Sequence, residues 1–281
     1  MNTGTRQGYV DGRHGQVHYT AQGDGPPVLL LHWAPSNARQ YEHVMPVLAA
    51  HGLRVIAFDL PGYGRSHKDT AGWTCEQLAA ELAVACDALG ITRGFAVGGH
   101  LSAAVVAELS ILQPERWPKI VLDGSPTLTG EQMAALMSRF AGLSPRFDDS
   151  GSHKTFIWDM TEAFLGEWDP DYRATPQNIT VQYGFMADYL QMGYSALRAF
   201  LEPDAPKGGL ATYRAIERWP LVRARVLALT AEREALRPGH DKAVSLLQDV
   251  REHCFPGSHP LMNPARAAEY ANVIAGFLKQ A

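Results

Sequence analysis

Hydrophobic residues along this chain are grouped in short continuous runs rather than in alternating patterns. A continuous apolar run suits a strand whose two faces are both covered, as in a parallel sheet. Helix-prone stretches separate the runs, and this alternation predicts right-handed crossovers between parallel neighbours. The first segments, 9–11 and 16–20, instead predict a hairpin around a short turn. The predicted buried strands are residues 28–31, 55–58, 95–97, 119–123 and 225–230.

Local signals place helices between these strands. Ser36 or Asn37 can cap a helix that ends at about residue 50. Thr74 and Gln77 match the capping-box pattern, which predicts a helix that ends at about residue 89. The remaining predicted elements are a helix near 241–250, a strand near 253–255 and a terminal helix from about 263, where a proline is tolerated.

The amino-acid composition of the chain changes between residues 126 and 220. This segment is helix-prone and rich in aromatic residues, and no buried-strand run interrupts it. We therefore predict a sheet domain made of residues 1–125 and 221–281, with residues 126–220 inserted as a helical cap. Trp158, Phe185 and Tyr189 of the cap are candidate pocket residues.

A strand-turn-helix pattern surrounds His100. The apolar run at 95–97 leads into Gly98 and Gly99, which relieve crowding in a tight turn. His100 stands at the corner, and a helix-prone run follows Ser102. The pattern places one polar side chain at the end of a central strand.

Composition excludes several classes of function. The 281 residues carry a formal net charge of −4, which gives no support for nucleic-acid binding. The 11 histidines lack metal-site spacing and the 3 cysteines lie far apart, so we expect no metal, no cofactor and a reducing compartment. Because the sequence has no signal-peptide pattern and no apolar run of about 18 residues, we expect a cytoplasmic protein. We expect its partner to be a small molecule. Oligomeric state cannot be read from the sequence.

Four motifs in order resemble those of the α/β-hydrolase fold superfamily. They are His32-Trp33-Ala34-Pro35, Asp59-x-Pro61-Gly62-x-Gly64-x-Ser66, the Gly98-x-His100-x-Ser102 turn, and Gly257-Ser258-His259. The resemblance implies an eight-stranded, mostly parallel sheet flanked by helices, with a helical cap after strand six. It also implies that the turn at His100 is the nucleophile elbow. His100 stands there in place of the family's usual Ser, Cys or Asp.

The same resemblance assigns further roles. His259 matches the catalytic histidine, and its acid partner is either Glu234 after the seventh strand, which we favour, or Asp123 after the sixth. The backbone N–H groups of Ala34 and Leu101 would form the oxyanion hole. Trp33 stands where the family has glycine, and His32 and Trp33 join the candidate pocket residues.

Histidine at the corner changes the expected chemistry. Imidazole titrates near neutrality and can exchange protons with a substrate, so we expect His100 and His259 to face one cavity. The first hypothesis is a cofactor-independent lyase, cyclase, isomerase or dioxygenase that acts on a small, largely apolar, oxygen-bearing substrate, aromatic or polyketide-like. Cofactor-free ring-cleaving dioxygenases and lyases of this fold are loosely similar.

Two other hypotheses stay open. The chain could be a hydrolase of ester, amide or C–C bonds that uses His100 as nucleophile or as activator of water. It could also be a ligand-binding protein on a degenerate hydrolase scaffold. Ser102 is a further candidate, as a displaced nucleophile.

Overall fold

An eight-stranded sheet forms the centre of the molecule. The computed structural model describes residues 4–34, 36–128, 207–234 and 236–280, together with positions 131, 132, 135, 150, 152, 155 and 159. The strands lie in the order β1-β2-β4-β3-β5-β6-β7-β8. They are β1 (Arg6–Asp11), β2 (Gln16–Gln22), β3 (Pro27–Leu31), β4 (Arg54–Phe58), β5 (Phe95–Gly99), β6 (Lys119–Asp123), β7 (Arg225–Ala231) and β8 (Val250–Phe255).

The direction of the strands follows the apolar pattern of the sequence. β1 and β2 form the predicted hairpin, and β2 also pairs antiparallel with β4. Every other pairing is parallel, from β3 with β4 through to β7 with β8. The predicted fold class is thus confirmed. Since parallel strands share a carboxyl edge, the loops after β3, β5, β6 and β7 meet there, which is where open α/β sheets bind their ligands.

Helices cover both faces of the sheet. The described helices are α1 (Met45–Ala50), α2 (Cys75–Ala88), α3 (Leu101–Leu112), α4 (Ala215–Arg218), α5 (Arg237–Leu246) and α6 (Ala267–Lys279). Residues of α2 and α3 belong to one apolar cluster, and residues of α1 and α6 belong to a second. The capping box of Thr74 and Gln77 is present as predicted and begins α2.

Two helix predictions need correction. The stretch after Asn37 is not one helix but a 3-10 turn, Ala38–Tyr41, followed by α1. Pro46 explains the break, because proline lacks an N–H and is tolerated only in the first turn of a helix. The helix predicted near 241–250 is α5, which begins at Arg237 with Pro238 in its first turn and ends at Leu246, before β8 begins at Val250.

The cap prediction concerns residues of which few are described. Trp158, Phe185 and Tyr189 lie outside the described residues, so the division into core and cap stays a prediction. The chain is described again from residue 207, where the Gly209 amide donates to the Trp73 carbonyl at 2.7 Å. In the part of the chain that the structure describes, no helix has the length and apolarity needed to cross a membrane.

A buried carboxylate then fixes the returning chain against the helix that follows the elbow. Glu108 of α3 is 3% exposed and receives two hydrogen bonds from Arg218, at 2.9 and 2.6 Å, and one from the Tyr213 hydroxyl at 2.9 Å. The Trp219 indole in turn donates to that hydroxyl at 3.1 Å. A buried carboxylate needs such partners, because an unpaired buried charge is strongly destabilising.

Candidate active site

The backbone at His100 is strained in the way that a nucleophile elbow requires. His100 has φ 55° and ψ −116°, and among the described residues it alone has a positive φ without being glycine. Its N–H donates to the Asp123 carbonyl at 2.8 Å, which holds the turn against β6. Strain of this kind costs about 1–3 kcal/mol and is concentrated at functional sites. The side chain is thereby held at the carboxyl edge of the sheet.

The two glycines before the corner are needed for close contacts. A Cβ at Gly98 would overlap the backbone of Ser102 in the first turn of α3. A Cβ at Gly99 would overlap the indole of Trp33. The strand can therefore end directly beside both the helix and the loop after β3.

His100 is paired with a carboxylate from the loop after β7. Its Nε2 lies 3.0 Å from Glu234 Oε1, and the hydroxyl of Thr230 donates to Glu234 Oε2 at 3.0 Å. The side chain of Glu234 is 1% exposed and that of His100 is 11% exposed. Since an ionised carboxylate only accepts hydrogen bonds, this contact places a hydrogen on Nε2 and leaves Nδ1 as the basic nitrogen of the neutral ring.

The indole of Trp33 contacts both imidazoles of the site. It stacks on His100 with ring centroids 4.1 Å apart and 12° between the planes. It meets His259 edge-on, with centroids 4.9 Å apart. Trp33 is only 4% exposed, so the ring that replaces the family's glycine fills the space beside the elbow.

His259 is paired with Asp123 and not with Glu234. Its Nε2 lies 2.9 Å from Asp123 Oδ1, and the hydroxyl of Tyr270 donates to Asp123 Oδ2 at 2.8 Å. His259 and Asp123 are 2% and 0% exposed. Our preference for Glu234 as the partner of His259 is wrong, because the loop after β7 brings Glu234 to the elbow instead. Each of the two acids is thus paired with a histidine of the site.

Burial and charge oppose each other in this second pair. Burial alone would raise the pKa of Asp123, but the charge and hydrogen bond of His259, with the hydroxyl of Tyr270, lower it below the ordinary value. Burial would likewise lower the pKa of His259, and Asp123 outweighs it, so the pKa is raised. The Leu261 amide donates to His259 Nδ1 at 3.2 Å, which is the contact of a neutral ring. Both nitrogens of His259 are thus hydrogen-bonded within the protein.

The loop after β3 is fixed by hydrogen bonds that the sequence did not indicate. Tyr41 donates to the Leu31 carbonyl, Ser102 donates to the His32 carbonyl, and Gln40 accepts from the Trp33 amide at 2.8 Å. Ser102 is 0% exposed. Its hydroxyl therefore holds this loop, which argues against a displaced nucleophile.

His32 is a structural residue and not part of a pocket wall. It is 0% exposed, its Nδ1 donates to the Trp33 carbonyl at 2.7 Å, and its Nε2 accepts from the Leu60 amide at 3.0 Å. Burial lowers the pKa of this imidazole, so it stays neutral as both contacts require. The assignment of His32 to the pocket is therefore corrected.

Leu101 and Ala34 are the candidate oxyanion-hole residues. Leu101 is the first residue of α3, where the amide N–H has no partner within the helix. Ala34 follows Trp33 in the loop that the preceding hydrogen bonds fix. Both stay predictions for the binding of a developing oxyanion.

A model of the family described as alpha/beta hydrolase fold matches residues 26–196. The chain belongs to this family.

Relatives with curated names are similar to the α/β-hydrolase chain over part of its length. Bifunctional epoxide hydrolase 2 of Mus musculus is 31% identical over 112 residues, which are 39% of this chain and 20% of that protein. Haloalkane dehalogenase of Psychrobacter cryohalolentis is 34% identical over 170 residues, 56% of this chain and 55% of the relative. The match thus spans about a fifth of the epoxide hydrolase and about half of the haloalkane dehalogenase.

Solved structures extend the likeness of fold to nearly the whole chain. The enol-lactonase from Burkholderia xenovorans LB400 aligns with a TM-score of 0.76 and 16% identity, and the alignment covers 97% of this chain and 100% of that one. The structure of a hydrolase from Pseudomonas aeruginosa PA01 gives a TM-score of 0.77 at 18% identity, with 98% of this chain and 99% of that one covered. At this identity the likeness shows the fold alone.

One glycine of the α/β-hydrolase core tests the contact between His100 and Glu234. Gly124 has φ 60°, and a Cβ there would overlap Glu234 Oε1 and lie 2.5 Å from His100 Cδ2. We expect Gly124→Ala to separate the two side chains and to cost more than the about 1 kcal/mol that positive φ alone costs a non-glycine residue. Urea unfolding measures the cost, and a crystal structure of the variant shows the separation.

Gly90 provides the matched control. It has φ 66°, and a Cβ there would meet nothing within 4 Å. Gly90→Ala therefore reports the backbone strain without the steric overlap. Equal costs for the two variants would mean that the space around Gly124 is not limiting.

Proposed function

We propose that this protein is a cofactor-independent enzyme in which His100, held by Glu234, acts as general base and then as general acid. The proposal rests on one observation, the 3.0 Å contact between His100 Nε2 and Glu234 Oε1 at the tip of the elbow. A base oriented by a carboxylate is the arrangement that fixes a tautomer and stabilises the imidazolium formed on proton uptake. Family membership supports an enzyme over a binding protein.

The proposed reaction begins with proton transfer to Nδ1 of His100. The hydrogen on Nε2 stays directed at Glu234, so the imidazolium forms beside a carboxylate that is already in place. The oxyanion that develops on the substrate is held by the N–H groups of Leu101 and Ala34, because fixed donors stabilise developing charge without reorganisation. The proton then returns from Nδ1 to the product.

His259 has a different part in this proposal from the one that the sequence suggested. Because both of its nitrogens are hydrogen-bonded, to Asp123 and to the Leu261 amide, it does not exchange protons with the substrate. It makes a T-shaped contact with the indole of Trp33 and so maintains the wall beside His100. We therefore propose that His100 is the base and that Glu234 orients it. The buried pair of His259 and Asp123 supports them.

The substrate class follows from the reaction and the surroundings. We propose a small, largely apolar molecule with a hydroxyl, phenol or carbon acid as proton donor. Its conversion is of the lyase, cyclase or isomerase type or, with dioxygen as co-substrate and oxidant, of the dioxygenase type. Pockets for such molecules are mostly apolar with a few placed polar groups. Trp158, Phe185 and Tyr189 of the proposed cap would supply the apolar surface.

Hydrolysis is the second candidate, and the relatives favour it. The names of the matched relatives include an epoxide hydrolase and a haloalkane dehalogenase. In that case His100 would take its proton from a water molecule, which would attack the substrate directly. His100 with Glu234 acts as the base in both candidates. The proton comes from the substrate in the first and from water in the second.

A panel of substrates separates the candidates. p-Nitrophenyl esters, epoxides and haloalkanes report hydrolysis. Enolisable ketones, including ones that carry a phenol, report proton abstraction because deuterium from the solvent is incorporated at carbon. A serine-directed fluorophosphonate is added in parallel. We expect no stable adduct in either case, whereas an adduct on Ser102 would contradict the assignment of the corner, and binding without any conversion would favour a binding protein.

A further inference from the structure

Among the residues that the structure describes, the stacking of Trp33 on His100 is the closest ring contact of the candidate site. The two planes are within 12° of parallel and the centroids are 4.1 Å apart. A cation within about 6 Å of the centroid of an indole face is attracted by the ring, and Trp is the strongest of the aromatic side chains in this respect. The indole of Trp33 therefore attracts the charged form of His100 more strongly than the neutral form.

We propose that Trp33 is a positioning residue that stabilises the protonated form of His100 by stacking on it and holds the ring in line with Glu234. The inference rests on the proposed function, because it assigns a role to Trp33 in the proton uptake by His100. It explains why an indole replaces the family's glycine beside the elbow. A base that becomes charged during turnover benefits from a partner that favours the charged form.

The fixed loop supports this role. The Trp33 amide donates to Gln40, its carbonyl accepts from His32 Nδ1, and the preceding carbonyl accepts from the Ser102 hydroxyl. The indole is thus positioned before any substrate arrives, and stacking does not have to be organised during the reaction. Gly99, whose missing Cβ leaves room for the indole, completes the fit.

Other titratable groups also lie near His100. Glu234 faces it from the loop after β7, Asp123 from the end of β6, and His259 from the loop after β8 lies against the same indole. Substitution of Trp33 leaves all three in the chain. A difference between Trp33 variants is then assigned to the indole, provided that these contacts are retained.

The test compares Trp33→Phe with Trp33→Leu by NMR of the His100 side-chain nitrogens, in protein labelled with ¹⁵N-histidine. At a fixed pH, we expect the ratio of charged to neutral His100 to fall by about 2- to 30-fold in Trp33→Leu. Trp33→Phe keeps an aromatic face and should retain much of the ratio. Trp73→Phe is the control, since Trp73 packs against His14 and His67 and not against His100. An unchanged ratio in Trp33→Leu would overturn the proposal.

A second measurement covers the case in which Trp33→Leu does not fold. In the wild-type protein, stacking places the ring protons of His100 over the indole, so their resonances should be shifted upfield by its ring current. Resonances at ordinary positions would also overturn the proposal. Neither readout needs a substrate, so the absence of turnover would contradict the proposed function and leave the stacking intact.

Turnover provides the remaining readout once a substrate is found. One face of the indole is covered by His100, so its loss should lower kcat by about the same 2- to 30-fold and leave KM within a factor of two. A rise in KM with unchanged kcat would assign Trp33 to substrate binding and contradict the positioning role.

Discussion

His100→Ala is expected to lower turnover by about 10²- to 10⁴-fold, the usual contribution of general acid–base catalysis by one side chain. Alanine has the same Cβ as histidine, so the backbone strain at φ 55° should be nearly unchanged. The variant therefore removes the imidazole without rebuilding the elbow. Steady-state rates of wild type and variant on the substrate found in the panel measure the effect.

Two controls define that result. His43→Ala removes an exposed imidazole, 52% accessible at the side chain, and should leave turnover within a factor of two. Imidazole added to His100→Ala should restore part of the rate, because it can occupy the vacated space and accept the proton. Full activity in His100→Ala without imidazole would rule out the base role.

Asp123→Ala is expected to cost about 3–5 kcal/mol of unfolding free energy. The carboxylate is fully buried and accepts from His259 and from Tyr270, so its loss leaves two buried donors without their partner. Asp123→Asn is the matched comparison, since it keeps the volume and one acceptor oxygen. Its cost should be smaller, about 1–3 kcal/mol, and urea unfolding at pH 7 measures both.

The pH dependence of this effect has a defined sign. The pKa of Asp123 is lowered below its ordinary value of 3.8, so its ionised form is stabilised by folding. That contribution is fully present above pH 3.8 and is lost as the pH falls through the lower folded-state value. The difference in stability between wild type and Asp123→Asn should therefore shrink below about pH 4, where the carboxylate of the wild type becomes protonated. A difference that does not shrink below about pH 4 would contradict the lowered pKa of Asp123.

Much of the sheet could be predicted because its signals are local. The continuous apolar runs have the composition of strands buried on both faces, and β3, β4, β6 and β7 all lie where those runs predicted them. The capping box of Thr74 and Gln77 likewise depends on residues three apart. Helix boundaries were less accurate where Pro46 and Pro238, each in a first turn, marked a start that the apolar pattern did not.

The pairing within the site could not be predicted because it depends on loop geometry. Asp123 ends β6 and Glu234 lies in the loop after β7, its parallel neighbour, so the sequence places each near the carboxyl edge but not beside a particular histidine. The loop after β3 presents a similar case. Gln40 and Ser102 bond to backbone groups of Trp33 and His32, and backbone partners leave no trace in the types of residue.

The central claim, that Glu234 holds His100 as a base, is tested most directly by the tautomer of His100 in the wild-type protein. Long-range ¹H–¹⁵N correlation of the imidazole identifies which nitrogen carries the hydrogen in the neutral ring. We predict the Nε2–H tautomer, with that population decreased in Glu234→Gln, since Nε2 lies 3.0 Å from Glu234 Oε1. A neutral His100 with its hydrogen on Nδ1, unaffected by Glu234→Gln, would contradict the account.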